Sequence, residues 1–160
     1  MTRVLFVCLG NICRSPMAEA IFIDKVSQHQ LTGEIEVDSC GTSDYHIGER
    51  PDRRTISVLK KHGIEPASNA RQLQKSDFED FDYVIAMDAN NLQHCQSMQQ
   101  ESQTNHEVIL RLMRDYDELA PGTGVPDPYY GGPEGFDHVY ELLDRSCDAL
   151  LKEIGDKLKA

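Results

Sequence analysis

Short apolar runs alternate along the chain with longer stretches in which apolar positions recur every three or four residues. The runs are Val4–Val7, Tyr83–Met87 and Val108–Leu112, with a more polar one at Ile35–Ser39. Runs of this length, bounded by glycine or polar residues, predict strands. Tyr83–Met87 is almost unbroken, as expected of a central strand covered on both faces. Between the runs, Met17, Ala20, Ile21, Ile23 and Val26 predict an amphipathic helix over residues 16–29, broken by Gly33. A second helix begins at Pro51-Asp52, carries Ile56, Val58 and Leu59 on its apolar side and stops at Gly63. Ser76-Asp77-Phe78-Glu79 has the pattern of a capping box. A polar helix follows from Asp88 to about Gln100, with Leu92 and Met98 as its few apolar positions, and an amphipathic helix from Phe136 to about Leu158 closes the chain. Residues 41–48 and 121–133 read as loops. Four strands alternating with helices predict parallel βαβ units with right-handed crossovers. The expectation is an α/β fold: one three-layer α/β/α domain over residues 1–160 with a central four-stranded parallel sheet.

Composition narrows the partners. A net charge of −11 argues against nucleic acid and against an anionic membrane surface, and any anion site must be locally positive. The apolar run after Arg3 is too short for a signal peptide or a membrane span. Five cysteines, an odd number, predict reduced thiols and a cytoplasmic protein. Cys8 and Cys13 lack a matching second pair and the six histidines are scattered, so neither a metal nor a cofactor is expected.

The chemistry concentrates where the first strand meets the first helix, at Cys8-Leu9-Gly10-Asn11-Ile12-Cys13-Arg14-Ser15-Pro16. A strand opening onto a helix N-terminus presents unpaired N–H groups and the positive end of a dipole, which together make an anion site. Gly10 and Asn11 tolerate positive φ, so the loop can curl its amides inward. Such a cradle favours the thiolate of a cysteine at its mouth, the place of Cys8. Arg14 adds a planar fork that grips two phosphate oxygens at once. Ser15 is either the helix N-cap, with Pro16 at the first helical position, or a hydrogen-bond donor to the Cys8 sulfur. The set of residues predicts phosphate chemistry, with Leu9, Gly10, Asn11, Ile12, Cys13, Arg14 and Ser15 around the anion.

A thiolate that attacks a phosphate ester needs a proton donor for the departing oxygen, and this loop holds no carboxylic acid. Asp127, in Val125-Pro126-Asp127-Pro128-Tyr129-Tyr130, is held out of helical conformation by Pro128 and has aromatic neighbours that reduce hydration. The residues alone leave it open whether Asp127 is a general acid or an ordinary turn aspartate.

The first loop resembles the signature loop of the low molecular weight protein tyrosine phosphatases, and the resemblance extends over essentially the whole chain. It implies hydrolysis of phosphotyrosine in proteins through a cysteinyl-phosphate, with inorganic phosphate as product. By resemblance Cys8 is the nucleophile, Arg14 binds phosphate, and Asp127 is the acid of the first step and the base of the second. Tyr129 and Tyr130 match cleft-wall positions that are themselves phosphorylated in the family, and Tyr45 matches another aromatic of the wall. Ser39 matches a residue that hydrogen-bonds Asn11 and braces the loop. Cys13 matches a second loop cysteine that forms a reversible disulfide with the nucleophile. Cys40, Cys95 and Cys147 are assigned to packing. The family is expected as a monomer or weak dimer. One departure stands out: where many members have a histidine bracing the loop, this chain has Ser68-Asn69.

Two alternatives share the first loop. A thiol-dependent arsenate reductase needs further cysteines at the site and leaves Asp127-Pro128-Tyr129 without a role. A phosphotyrosine-binding module without turnover leaves the intact Cys8, Arg14 and Asp127 unexplained.

Overall fold

The structure, a computed structural model, describes residues 1–160. Four strands, β1 (Thr2–Cys8), β2 (Ile35–Gly41), β3 (Tyr83–Ala86) and β4 (Ile109–Leu112), form one sheet in the order β2-β1-β3-β4. Every neighbouring pair is parallel. The helices are α1 (Arg14–Gln28), α2 (Arg53–Lys61), the single turn α3 (Asp77–Asp80), α4 (Ala89–Ser102) and α5 (Pro133–Lys159), with a 3-10 turn at Met113–Tyr116 after β4. This is the expected α/β architecture, with the four-stranded parallel sheet between helical layers.

The period of a strand explains the layering. Successive side chains of β1 point to opposite faces. Val4 and Phe6 enter the larger core with α1, α2 and α5, whereas Leu5 and Val7 enter the smaller one with Phe78, Phe81 and Cys95. All four are fully buried, which is why the run reads as continuously apolar. Phe6 meets Phe22 of α1 edge to face, with centroids 5.6 Å apart. Truncating such a ring costs about 3–5 kcal/mol.

Two local expectations give way. Ser76 precedes α3, but its hydroxyl caps nothing; instead the buried Asp77 carboxylate accepts from the Gln74 N–H at 2.8 Å and from the Arg71 guanidinium. The α4 helix is anchored by Cys95 and Asn91, while Leu92 and Met98 are only partly covered. The fold also fixes where a ligand goes. From β1 the chain moves to β2 on one side and later returns to β3 on the other. The reversal leaves a crevice at the carboxyl ends of β1 and β3, where ligands bind in such sheets.

Candidate active site

The Cys8 loop occupies that crevice. Its carbonyls are turned outward: Cys8 O accepts from Thr42 N, Leu9 O from Ser43 N, and Ile12 O from Asp52 N, at 2.9, 3.0 and 2.8 Å. The backbone N–H groups of Leu9 through Cys13 donate to no protein acceptor, which leaves them free to act as a nest. Asn11 supplies the left-handed turn, with φ 57°. Gly10 does not share that conformation; the ring of His46 lies 3.0 Å from where a Cβ would stand. Gly41, at the end of β2, lets the loop pass, since a Cβ there would lie 2.7 Å from Leu9 O.

Beneath the nest runs a chain of hydrogen bonds with a fixed direction. Asn11 Nδ2 donates to Ser15 Oγ at 2.7 Å and to Ser39 Oγ at 3.0 Å, and Asn11 Oδ1 accepts from Arg71 N at 3.0 Å. Ser39 passes its own proton to Glu19 Oε1 at 2.7 Å. Ser15 therefore keeps its proton for Cys8 Sγ, 3.0 Å away, or for Cys40 O at 3.3 Å. When Cys8 attacks as a thiolate its sulfur is the stronger of these two acceptors, because hydrogen bonds to ionised groups are the stronger class. The N-cap expectation for Ser15 is thus replaced by its alternative. Cys13 occupies the N-cap position without a side-chain cap, Arg14 begins α1, and the Ser15 hydroxyl serves the sulfur.

Arg14 is buried and aimed by two partners. Its Nη1 donates to Asp88 Oδ2 at 2.6 Å and to the Val125 carbonyl at 3.0 Å, leaving Nη2 on the cleft side. Burial opposes its charge, but Cys8, Asp88 and Asp127 together hold its protonation above the ordinary arginine range. Asp127 Oδ2 lies 3.7 Å from Arg14 Nη2, and Oδ1 accepts from the Tyr129 N–H at 3.1 Å. Burial pushes the Cys13 thiol well up, and Asp52 adds to the effect, so Cys13 is held as a thiol.

Cys8, Arg14 and Asp127 share one cleft of about 270 Å³, with Leu9, Ile12 and Cys13 on its floor and sides. Tyr45, Tyr129 and Tyr130 form the rim, Tyr130 being 92% exposed. Ser39 stands below, against Asn11. Every predicted site residue is therefore in the cleft or in the hydrogen-bond chain beneath it. The histidine departure is resolved in detail. Ser68 Oγ donates to both oxygens of the buried Glu19, at 2.8 and 3.1 Å, and the brace on Asn11 from this segment comes from the Arg71 backbone. Burial pushes the Glu19 carboxyl up from its ordinary value, and the two serine hydroxyls pull against that rise.

Sequence reasoning missed Glu19, Asp88, His46, Arg54 and Arg71. Glu19 looks like a surface position of an amphipathic helix. Asp88 caps α4 by accepting from Asn91 N at 2.9 Å, so its place before a helix accounts for it fully on local grounds. The available signal was topological: Asp88 follows β3 at the same sheet end as Cys8.

Known proteins match the chain along nearly its whole length. A sequence model described as low molecular weight phosphotyrosine protein phosphatase matches residues 3–160. The low molecular weight protein-tyrosine-phosphatase YfkJ of Bacillus subtilis is 47% identical over 155 residues, covering 96% of each chain. The crystal structure of a protein tyrosine phosphatase from Entamoeba histolytica superposes with a TM-score of 0.88 at 38% identity, covering 98% of this chain and 99% of that one. That of a drosophila arginine phosphatase does so at 0.88 and 35% identity, covering 96% and 98%. Matches that run from one end of the chain to the other leave one assignment: the chain belongs to the low molecular weight phosphotyrosine protein phosphatase family.

Proposed function

We propose that Cys8 Sγ attacks the phosphorus of a phosphotyrosine in a protein substrate while the unpaired amides of the loop and Arg14 hold the equatorial oxygens. Charge that gathers on those oxygens in the transition state meets donors already in place. Asp127 gives its proton to the departing phenol oxygen as the P–O bond breaks, leaving a cysteinyl-phosphate. In the second step Asp127 takes a proton from water, whose oxygen attacks phosphorus, and Cys8 leaves as thiolate with inorganic phosphate as product. The apolar walls of Leu9, Ile12 and the three rim tyrosines suit an aryl group. The positive charge the reaction needs comes from Arg14 and the amides, so the proposed mechanism uses no metal. Cys13, on the wall of the same cleft, is the proposed disulfide partner of Cys8 under oxidation, and with five free thiols the proposed compartment is the reducing cytoplasm. The observation that carries the reading is the convergence of Cys8, Arg14 and Asp127 on one cleft floored by unpaired amides.

Hydrolysis of phosphotyrosine and phosphoarginine peptides in EDTA, by wild type, Cys8→Ser and Asp127→Ala, tests it. The expected result is metal-independent release of phosphate from phosphotyrosine, abolished in Cys8→Ser and reduced about 10²-fold or more in Asp127→Ala. Activity retained in Cys8→Ser sinks the mechanism, and preference for phosphoarginine overturns the substrate assignment. The arsenate-reductase alternative finds no support, since Cys40, Cys95 and Cys147 are buried and none lines the cleft.

A further inference from the structure

The start of α2 grips both loops of the site. On one side the Asp52 N–H donates to Ile12 O at 2.8 Å and Thr55 Oγ1 donates to Cys13 O at 3.3 Å, both within the phosphate loop. On the other side Arg54 reaches the acid loop. Its Nη2 donates to Tyr129 O at 3.0 Å and its Nη1 to Gly131 O at 3.2 Å, with the guanidinium 5.6 Å from the Tyr129 ring centre and 4.4 Å from that of Phe136. Asp52 aims that guanidinium, accepting from Arg54 Nε at 3.0 Å and from Nη2 at 3.1 Å. From Asp127 through Gly131 these two bonds from Arg54 are the only hydrogen bonds to another element. The Tyr129 peptide is thus held from both ends. Its carbonyl is bound by Arg54, and its N–H is bound to Asp127 Oδ1, which leaves Oδ2 facing Arg14 and the cleft.

We propose that Arg54 is a positioning residue: through the Tyr129 peptide it sets the Asp127 carboxyl over the Cys8 loop and keeps the two loops in register. The inference rests on Asp127 being the general acid. Arg54 is absent from the cleft lining and its guanidinium hydrogen-bonds only Asp52, Tyr129 and Gly131, so its loss is expected to act only where proton donation matters. An ester whose phenol is strongly acidic leaves unassisted, whereas tyrosine needs the proton.

The test is kcat/KM for aryl phosphates of graded leaving-group acidity, from phosphotyrosine to dinitrophenyl phosphate, with wild type, Arg54→Ala, Arg54→Lys, Asp127→Ala and the Arg54→Ala/Asp127→Ala pair. Thermal melting checks that each variant is folded. Displacement of a catalytic group by a fraction of an ångström predicts about a 10-fold loss for Arg54→Ala on phosphotyrosine, less than about 2-fold on dinitrophenyl phosphate, and no further loss on top of Asp127→Ala. Arg54→Lys, with one donor group in place of a fork, falls between wild type and alanine. A loss uniform across the series in Arg54→Ala, or none, overturns the proposal while Asp127→Ala still shows a leaving-group dependence. A uniform loss in Asp127→Ala itself overturns the acid assignment, and this inference with it.

Discussion

The two loops that meet in the cleft are built in opposite ways. The phosphate loop is buried, and nearly every polar group beneath it has a partner inside the protein: Asn11, Ser15, Ser39 and Glu19 form one directed chain. The acid loop lies over the surface, its Asp127 side chain 39% exposed and its tip fastened by a single arginine. Binding the phosphate demands donors that do not move. Delivering a proton and then admitting water demands a carboxyl that solvent can reach. In the proposed mechanism a preformed anion site and an accessible acid are different structural problems, met by burial on one side and by long-range arginine ties on the other.

That contrast can be broken at Arg14, which belongs to both regions through Asp88 and Val125. Arg14→Lys keeps the charge and loses the fork, and kcat/KM for phosphotyrosine is expected to fall about 10²–10³-fold. A loss under 3-fold in steady-state assays defeats the bidentate role. Asn11→Ala sharpens the difference in stability. It deprives Ser15, Ser39 and the Arg71 N–H of partners and places alanine at φ 57°, which costs about 3 kcal/mol in urea unfolding. Tyr130→Ala, on the exposed rim, is expected to change stability by less than about 0.5 kcal/mol. Equal effects at the two sites erase the distinction.

A last test concerns the stem of the acid loop, where the fully buried Asp117 side chain pairs with Arg145 and Arg114 and the effect appears only in acid. Arg145 above all holds its carboxyl down at about 2. An unfolded aspartate titrates near 3.9, so the folded value is the lower one. The stabilisation is therefore complete above about pH 4 and disappears as pH falls towards about 2, a loss of about 2 kcal/mol. Hydrogen exchange across residues 117–125 reads it, and Asp117→Asn is expected to flatten the pH dependence. A wild-type stem that keeps its protection to pH 2 contradicts the assignment.

Legibility in the sequence follows the same divide. The strands were readable because a buried parallel strand is apolar at every position, as Val4–Val7 and Tyr83–Ala86 are. The phosphate loop was readable because its chemistry is contiguous in the chain. Asp88, Glu19 and Arg54 were not, since each acts across a separation that only the fold closes. Asp52 and Asp88 hid for a further reason: both cap helices, and a residue with an adequate local explanation gives no sign of a second task. Ser15 was legible only as a pair of alternatives, cap or partner of the sulfur, and the fold selects the second.

The unpaired amides of Leu9 through Cys13 stand ready before any substrate arrives. Such a cradle fits the phosphoryl group whether it is esterified or free. Under the proposed mechanism inorganic phosphate thus competes for the site that releases it, and a medium rich in it is expected to throttle turnover by occupancy rather than by chemistry.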